Sequence, residues 1–399
     1  MKILFVSTSF PPATDMHTTR NMYLVGGLVR NGHKVDIITC GAYEPKQLMF
    51  DKTLSALKIY RTDYPFIYKW HKYITSHCRF KPLLKAHNVF VNYYAIPDMY
   101  SGWERLAMKI VKKYGLLDYD VVITSSGSYT AHFFGKKWKL LTGRKWVAEY
   151  GDPWGLDGYG NIKKIYYKLE QPILSVCDGL VFTTQSTIDA YKRNYDNSIP
   201  YELVTGGYNA IIDDVENVSK NGIVFTYMGI AYKRDRNLGN VLNAIKKNNR
   251  TCGQIVGTIS DDIIEECKSI SNIICRGRVP YEESLNIMAS SDVMIIVGNF
   301  GKLQIPGKTY IYLSSKKPIL YIQQQEEEDP TLSLLSNFKG IIVCKNTVDS
   351  ISKAINEIVS NYNKYKKEAE LRCESDSFKN YSWEALGNQF EKFVLSIAR

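Results

Sequence analysis

The chain has 399 residues, a length that favours two domains of ordinary size. Hydrophobic residues make up 45% of it and charged residues 23%, so the composition is that of a folded globular protein and excludes a wholly disordered or fibrous chain. The formal net charge of +11 leaves nucleic acids, membrane surfaces and phosphorylated ligands open as partners.

The longest apolar runs, such as residues 293–297, are far shorter than the roughly 20 residues needed to cross a bilayer. Met1 and Lys2 lead directly into a short apolar run that cannot form the core of a signal peptide. We therefore expect a cytoplasmic location. The eight cysteines are widely spaced and form no C-x-x-C pair, so we expect reduced thiols, with neither a disulfide framework nor a zinc site.

Short apolar runs alternate with helical patterns along the chain. The first run, at residues 3–7, leads through a Pro-Pro turn and a helical pattern to a second strand at 35–39, which makes a βαβ unit. Further strands are predicted at residues 121–124, 146–148, 179–183, 223–228, 254–257, 272–276, 292–297, 318–322 and 340–343. This alternation predicts an α/β protein with two Rossmann-like, doubly wound domains that face each other across a cleft.

A turn-rich stretch at residues 206–209 marks the boundary between the two series of strands. We predict an N-terminal Rossmann-like domain over residues 1–205 and a C-terminal Rossmann-like domain over residues 206–375. The remaining residues, 376–399, contain a helix whose apolar stripe must pack on something, and we predict that it crosses back to the N-terminal domain; the stripe comprises Trp383, Leu386, Phe390, Phe393, Val394 and Ile397.

Most of the excess positive charge lies in residues 58–113, where eleven Lys and Arg residues face three Asp and Glu residues. Aromatic residues are interleaved with these cations over residues 60–100. The combination suits an anionic inner-membrane surface or a polyprenyl-diphosphate acceptor. A solvated insertion with buried aromatic side chains is the plainer alternative. Stacking on single-stranded nucleic acid is not expected, because no nucleic-acid motif accompanies the segment.

Several common catalytic motifs are absent: the chain has no G-x-G-x-x-G after its first strand, no P-loop, no G-x-S-x-G and no H-E-x-x-H. In doubly wound proteins, ligands bind outside the carboxyl ends of the strands. The loops that follow the strands are therefore the candidate sites.

The order of motifs resembles glycosyltransferase family 4, whose members have the GT-B fold and move a sugar from a nucleotide donor. In the first half the resemblance rests on Phe10-Pro11-Pro12 with Arg20, Asn31-Gly32-His33-Lys34-Val35, Pro97-Asp98 with Trp103, Ser125-Ser126, and Gly151-Asp152-Pro153-Trp154. In the second half it rests on Tyr227-Met228-Gly229, Gly277-Arg278-Val279-Pro280, Ser291-Asp292-Val293, and Ile305-Pro306-Gly307-Lys308 followed by Tyr312-Leu313 and Lys317-Pro318-Ile319-Leu320. The last of these blocks is the most specific.

Residues after the first strand of the second half fit a sugar nucleotide. Gly229 allows close approach of the backbone, and Lys233, Arg234 and Arg236 can hold a diphosphate. The resemblance singles out Arg236 as the phosphate-binding residue, and Lys308 has a similar claim from its Pro-Gly-Lys turn. Solvated surface charges are the alternative. Tyr281 could border the base, and a surface turn is the equal alternative. The resemblance implies that residues 206–375 form the donor domain and residues 1–205 the acceptor domain.

On the acceptor side, Asp152 follows a predicted strand and precedes Trp154, a pairing of carboxylate and ring that suits a sugar hydroxyl. A turn-forming Asp is the alternative for Asp152. Glu149, His17 and Arg20 also lie near strand ends and could bind the acceptor.

The chain departs from the family pattern at two places. The resemblance implies a Glu that binds the nucleotide ribose where Ile311 stands, and an earlier Glu near Asn299. A lost charge-assisted hydrogen bond would weaken donor binding by roughly 1.5 to 3 kcal/mol. The resemblance also implies that Arg and Lys stabilise the leaving phosphates, so we expect no metal and no cofactor.

These features predict a glycosyltransferase, retaining by resemblance, peripheral on the inner face of the cell membrane. Its partners would be a nucleotide-sugar donor and a lipid-linked or oligosaccharide acceptor in bacterial surface-polysaccharide synthesis, O-antigen or capsule. A non-catalytic nucleotide- or glycan-binding relative and a GT-B-fold sugar-nucleotide epimerase are the alternatives.

Overall fold

The computed structural model describes residues 1–13, 15–41, 57–156, 164–195, 198–215, 222–232, 236–325 and 328–399. The chain divides into two compact units. The first unit comprises Met1–Thr205 and Trp383–Arg399, and the second comprises Gly206–Ser382. Lys233 and Arg234, predicted to bind the donor, lie outside the described residues.

The first unit contains a parallel sheet of seven strands in the order β3-β2-β1-β4-β5-β6-β7. The strands are β1 (Lys2–Ser7), β2 (Lys34–Cys40), β3 (Lys58–Thr62), β4 (Val121–Ser125), β5 (Lys145–Tyr150), β6 (Gly179–Phe182) and β7 (Tyr201–Leu203). The helices between them are α1 (Met16–Arg30), α2 (Phe66–His77), α3 (Lys81–Tyr94), α4 (Trp103–Tyr114), α5 (Thr130–Thr142), α6 (Lys164–Leu174) and α7 (Gln185–Asn194).

The second unit contains a parallel sheet of six strands in the order β10-β9-β8-β11-β12-β13. The strands are β8 (Ile223–Ala231), β9 (Thr251–Ile259), β10 (Ile273–Arg276), β11 (Val293–Val297), β12 (Ile319–Gln323) and β13 (Ile341–Lys345). The helices are α8 (Gly239–Lys246), α9 (Asp261–Lys268), α10 (Tyr281–Ser290), α11 (Lys308–Leu313), α12 (Pro330–Leu335), α13 (Val348–Ser360), α14 (Tyr362–Glu374) and α15 (Asp376–Lys379).

Both sheets are covered on both faces, which explains why their central strands read as continuous apolar runs. In β1, Leu4 belongs to one hydrophobic cluster and Phe5 to another, because successive side chains point to opposite faces. In β11 all five residues are buried. The prediction of two Rossmann-like, doubly wound domains is thus confirmed. Each sheet has its switch point beside its first strand, between β1 and β4 and between β8 and β11.

The last helix, α16 (Trp383–Ala398), packs on α1 in the first unit. A Cβ added to Gly27 of α1 would lie 2.9 Å from the Cα of Gly387, so the two helices approach more closely there than larger residues would allow. The rings of Tyr23 and Trp383 stack with centroids 5.1 Å apart. The segment predicted as one helical region, residues 376–399, therefore divides: α15 stays in the second unit and α16 belongs to the first.

No helix within the described ranges is both long and apolar enough to cross a membrane. All eight cysteines are free, and five of them are buried: Cys40, Cys177, Cys267, Cys344 and Cys373.

Candidate functional site

The switch point of the first sheet brings together the ends of β1, β4 and β5. Two glycines allow the chain segments at this edge to pack closely against each other. A Cβ on Gly127 would lie 2.2 Å from the Oγ of Ser9, and a Cβ on Gly151 would lie 2.7 Å from Nδ1 of His17. The loop after β1 therefore packs directly on the backbone that follows β4 and β5.

His17 and Asp152 meet at this edge and are both accessible to solvent. His17 Nε2 lies 3.6 Å from Asp152 Oδ2, and their side chains are 30% and 46% exposed. The backbone beside Asp152 is held in place, because Gly151 N–H donates to Ser126 Oγ at 3.2 Å and Thr183 Oγ1 donates to the Gly151 carbonyl at 3.1 Å. A partly exposed imidazole and carboxylate on a fixed backbone can bind a hydroxyl and accept its proton.

Arg20 and Glu149 lie beneath this surface. Arg20 Nε donates to Glu149 Oε1 at 2.6 Å, and both side chains are buried. Arg20 also donates to the carbonyls of Thr205 and Val204, each at 2.7 Å. The second carboxylate oxygen of Glu149 accepts from Ser125 Oγ at 2.6 Å. This saturated network joins α1, β4, β5 and the segment after β7, so the geometry favours a role in folding for both residues over contact with an acceptor.

Trp154 is also inside the unit, with 2% of its surface exposed. Its ring stacks on Tyr129 at a centroid distance of 5.0 Å, and its backbone N–H donates to Tyr191 Oη at 3.0 Å. The ring therefore packs the core behind Asp152 and offers no open face on which a sugar could stack.

Glu170, on α6, was not identified from the sequence. It is fully buried and accepts hydrogen bonds from Tyr191 Oη at 2.6 Å, from Tyr195 Oη and from Gly155 N–H at 2.9 Å. Burial raises the pKa of Glu170 to about 7, against the opposing effect of the tyrosine hydroxyls. Glu170 thus anchors the chain that follows Asp152. Its surroundings on α6 read as an ordinary helix, so no local signal marks it.

Two glycines lie side by side near the end of β8 in the second sheet. Gly229 pairs with Gly257 of β9. A Cβ on Gly257 would lie 1.9 Å from the Gly229 carbonyl oxygen, and Gly257 has φ of +133°, so only glycine is accommodated there. Gly229 itself is half-buried, and a Cβ added to it would lie 3.1 Å from Tyr227 Oη, so the Tyr227 side chain covers this part of the main chain.

Arg236 follows β8 and reaches the loop after β11. Its Nη2 donates to Asn299 Oδ1 at 2.7 Å. Asn299 is buried, and its own amide nitrogen donates to the Gln304 carbonyl at 3.3 Å. Asn299 stands near the position where the resemblance implies a Glu, so a neutral amide here holds a cation.

Lys308 is the first residue of α11. Burial, with added repulsion from Arg236 and Arg278, lowers the pKa of Lys308 to about 8. Within the described ranges, no carboxylate forms a salt bridge with any of these three cations. Three positive charges without a carboxylate partner in the described ranges can bind an anion. The sequence indicated Arg278 only as part of a motif, and its electrostatic effect on Lys308 adds it to the cluster.

The other two donor residues differ in their surroundings. Ile311, on α11, is half-buried and packs against a hydrophobic cluster that includes Tyr310 and Leu313. Tyr281 begins α10 and is 54% exposed. Ile311 thus supplies apolar packing at the position where a carboxylate was expected, while Tyr281 is free to border a ligand. The described residues contain no group of three His, Cys, Asp or Glu that could hold a metal.

A further surface projects from the first unit between β3 and α4. Helices α2 and α3 pack on each other, with Trp70 edge-on to Phe90 at 5.0 Å and His71 Nδ1 3.0 Å from His87 Nε2. We call these two helices the α2–α3 hairpin. Large apolar side chains on it are left exposed: Phe66 by 78%, Phe80 by 66% and Tyr93 by 74%.

The α2–α3 hairpin is also basic. Residues 64–97 contain no Asp or Glu. Five exposed cations lie on it: Lys69, Lys72, Arg79, Lys81 and Lys85. The aromatic residues predicted to be interleaved with cations therefore divide. Tyr60 is buried, and Tyr64 and Tyr100 pack against the core of the first unit. Six are exposed beside the cations: Phe66, Tyr73, Phe80, Phe90, Tyr93 and Tyr94.

Comparison with known proteins places the whole chain in one fold. No protein-family model and no curated protein sequence matches it. Among solved structures it is similar to sucrose-phosphate synthase from Thermosynechococcus elongatus, with 12% identity over 99% of this chain and 98% of that one and a TM-score of 0.71. It is also similar to Anabaena HepE in complex with UDP and glucose, with 11% identity over 99% and 100% and a TM-score of 0.70.

A third similar structure is WaaG, a glycosyltransferase involved in lipopolysaccharide biosynthesis, with 10% identity over 97% of this chain and 98% of that one and a TM-score of 0.62. These likenesses extend over both units and both sheets. The chain therefore has the GT-B fold.

Proposed function

We propose that this protein is a nucleotide-sugar-dependent glycosyltransferase that acts, with retention at the transferred sugar, on a lipid-linked saccharide in bacterial surface-polysaccharide synthesis. The observation that carries the proposal is the cluster of Arg236, Arg278 and Lys308 at the carboxyl edge of the second sheet. Such an edge suits a diphosphate, the leaving group of a nucleotide sugar.

The similar structures support this choice of ligand. HepE was solved in complex with UDP and glucose, and a further structure of HepE is a complex with UDP-glucose. WaaG is involved in lipopolysaccharide synthesis. Because identity is 12% or less, these properties come to this chain as a proposal, which the charge cluster supports independently.

In the proposed reaction, the bond between the anomeric carbon and the diphosphate oxygen breaks, and the oxygen of an acceptor hydroxyl bonds to that carbon. The departing diphosphate carries away the electron pair, and Arg236 and Lys308 stabilise its charge. The acceptor hydroxyl binds at His17 and Asp152, and this pair receives the proton that the hydroxyl loses. Retention is proposed on the resemblance to family 4 alone.

Calorimetry with a panel of nucleoside diphosphates tests the donor assignment. We expect at least one to bind, with UDP the first choice, and the corresponding nucleotide sugar to be turned over. Binding without turnover in the presence of membrane-derived acceptor would favour the non-catalytic alternative. Interconversion of the donor sugar without an acceptor would favour an epimerase.

The same assays distinguish the acceptor role proposed for the first unit from the donor role proposed for the second. His17→Gln and Asp152→Asn should reduce transfer while leaving donor affinity near that of the wild type, because both residues lie in the first unit. A loss of donor affinity in these variants would contradict the acceptor assignment.

We also propose that the α2–α3 hairpin binds the anionic inner face of the cell membrane. Each Lys or Arg near such a surface contributes roughly 1 kcal/mol to the free energy of membrane binding. Exposed aromatic rings bind at the level of the lipid headgroups. The absence of acidic residues from 64 to 97 means that little repulsion opposes this attraction. A lipid-linked acceptor would then be presented at the membrane surface where the enzyme is bound.

Neutralising the five cations of the α2–α3 hairpin, Lys69, Lys72, Arg79, Lys81 and Lys85, to Gln should abolish most binding to vesicles that contain phosphatidylglycerol. Exposed charges contribute little to folding, so thermal stability should hardly change. Vesicle flotation at low and high salt measures the effect, since salt screens the attraction.

The matched control neutralises five exposed lysines of the second unit: Lys268, Lys345, Lys353, Lys364 and Lys367. This variant loses the same net charge and should still bind. Equal loss in both variants, salt-independent binding, or equal binding to neutral vesicles would refute the proposed membrane surface.

A further inference from the structure

Both polar atoms of the Asn299 side chain are hydrogen-bonded, one of them to Arg236. The amide oxygen of Asn299 accepts from Arg236 Nη2 at 2.7 Å, and its amide nitrogen donates to the Gln304 carbonyl at 3.3 Å. The preceding residue, Gly298, is held by its N–H, which donates to the Ile322 carbonyl at 2.9 Å. A Cβ on Gly298 would lie 2.4 Å from Tyr321 Oη, so this loop is packed tightly on β12. The orientation of the Asn299 oxygen is thus set by the fold.

We infer that Asn299 is a positioning residue that orients Arg236 toward the diphosphate without neutralising it. An amide oxygen provides the direction of a hydrogen bond but carries no net charge. A carboxylate at the same distance would form a charge-assisted pair with the guanidinium and consume the charge that a phosphate needs. The inference rests on the proposed function, because it assumes that the ligand of this edge is a diphosphate.

The other cations of the site agree with this reading. Lys308 lies in the repulsive field of Arg236 and Arg278. A carboxylate at position 299 would relieve that repulsion in the empty protein. The amide leaves the repulsion in place, so that an incoming anion relieves it. The identity of residue 299 therefore controls how strongly the empty site favours an anion.

The substitution Asn299→Asp separates this role from simple packing, since the two side chains have nearly the same shape. If Asn299 only packed the loop, Asp would be tolerated better than Ala. If it orients an unneutralised Arg236, Asp must be the worse of the two. We expect Asn299→Asp to weaken binding of pyrophosphate and of UDP on the order of 10- to 100-fold, and Asn299→Ala by less than that.

The measurement is calorimetry of the full-length protein with pyrophosphate and with UDP, accompanied by thermal unfolding. Asn356→Asp is the matched control: Asn356 is exposed on α13 and accepts from the neutral amide of Asn248 at 2.8 Å. This control should bind as the wild type does.

Wild-type-like binding by Asn299→Asp, or a larger loss in Asn299→Ala than in Asn299→Asp, would overturn the inference while leaving the donor assignment intact. Failure of the wild type to bind either probe would overturn the donor assignment and the inference together. If Asn299→Asp does not fold, Asn299→Ala decides together with its thermal unfolding: binding roughly threefold or more weaker than wild type at an unchanged unfolding temperature supports an orienting role, and any other result refutes it.

Discussion

Replacing Arg236 or Lys308 by Ala should slow sugar transfer by roughly one to three orders of magnitude, since each change removes a charge that stabilises the departing diphosphate. Arg236 is held by Asn299 and Lys308 is half-buried beside it, so both charges act in surroundings less polar than bulk water. Steady-state turnover of the donor identified by calorimetry is the measurement. The folds should survive, because neither cation forms an ion pair with a described carboxylate.

Lys353→Ala provides the control for this experiment, since Lys353 is an exposed cation on α13. It should leave turnover unchanged. The pH dependence gives a second check. Because the pKa of Lys308 is lowered to about 8, its charge is present below that pH and lost above it, so wild-type affinity for UDP should fall as the pH rises above about 8. Lys308→Ala should lack this fall. Wild-type turnover in both alanine variants would show that the phosphates bind elsewhere.

Glu149→Ala should destabilise the protein by about 3 to 5 kcal/mol, the cost of leaving a buried charge without its partner. Arg20 would keep its bonds to the carbonyls of Val204 and Thr205 but lose the carboxylate at 2.6 Å. Ser125 Oγ would lose an acceptor at the same time. Urea unfolding followed by circular dichroism measures the change in the free energy of unfolding.

Glu202→Ala is the appropriate control, because Glu202 is a carboxylate of the same unit that accepts from Gln389 at the surface. Its free energy of unfolding should change by less than about 0.5 kcal/mol. A Glu149→Ala variant as stable as the wild type but unable to transfer sugar would instead support the acceptor-binding role that the sequence indicated for Glu149.

The sequence by itself determined the fold class and the strands at the centre of each sheet. Central parallel strands are buried on both faces, so they appear as short apolar runs that need no tertiary information to be recognised. The edge strands β3 and β7 were not predicted. Lys58 and Arg61 interrupt the apolar residues of β3, and β7 has only three residues, so neither forms a continuous apolar run.

The sequence also predicted the loops in which candidate functional residues lie, because ligands of doubly wound domains bind where strands end. Gly229 lies near the end of β8, and His17, Asp152, Arg236 and Lys308 lie in the loops that follow strands or at the starts of the next helices. Their motifs are local, and a local pattern can be read along the chain.

Only the tertiary structure decided which of these side chains reach the surface and which partners they have. Trp154 and Asp152 are two residues apart, yet one is 2% exposed and the other's side chain is 46% exposed. Arg20 meets Glu149 across 129 residues, and Arg236 meets Asn299 across 63. Burial and pairing of this kind arise from contacts between distant segments, which leave no periodicity or spacing in the sequence. For that reason the order of residues predicted which loops hold the candidate residues, while the packing determined which of their side chains are exposed.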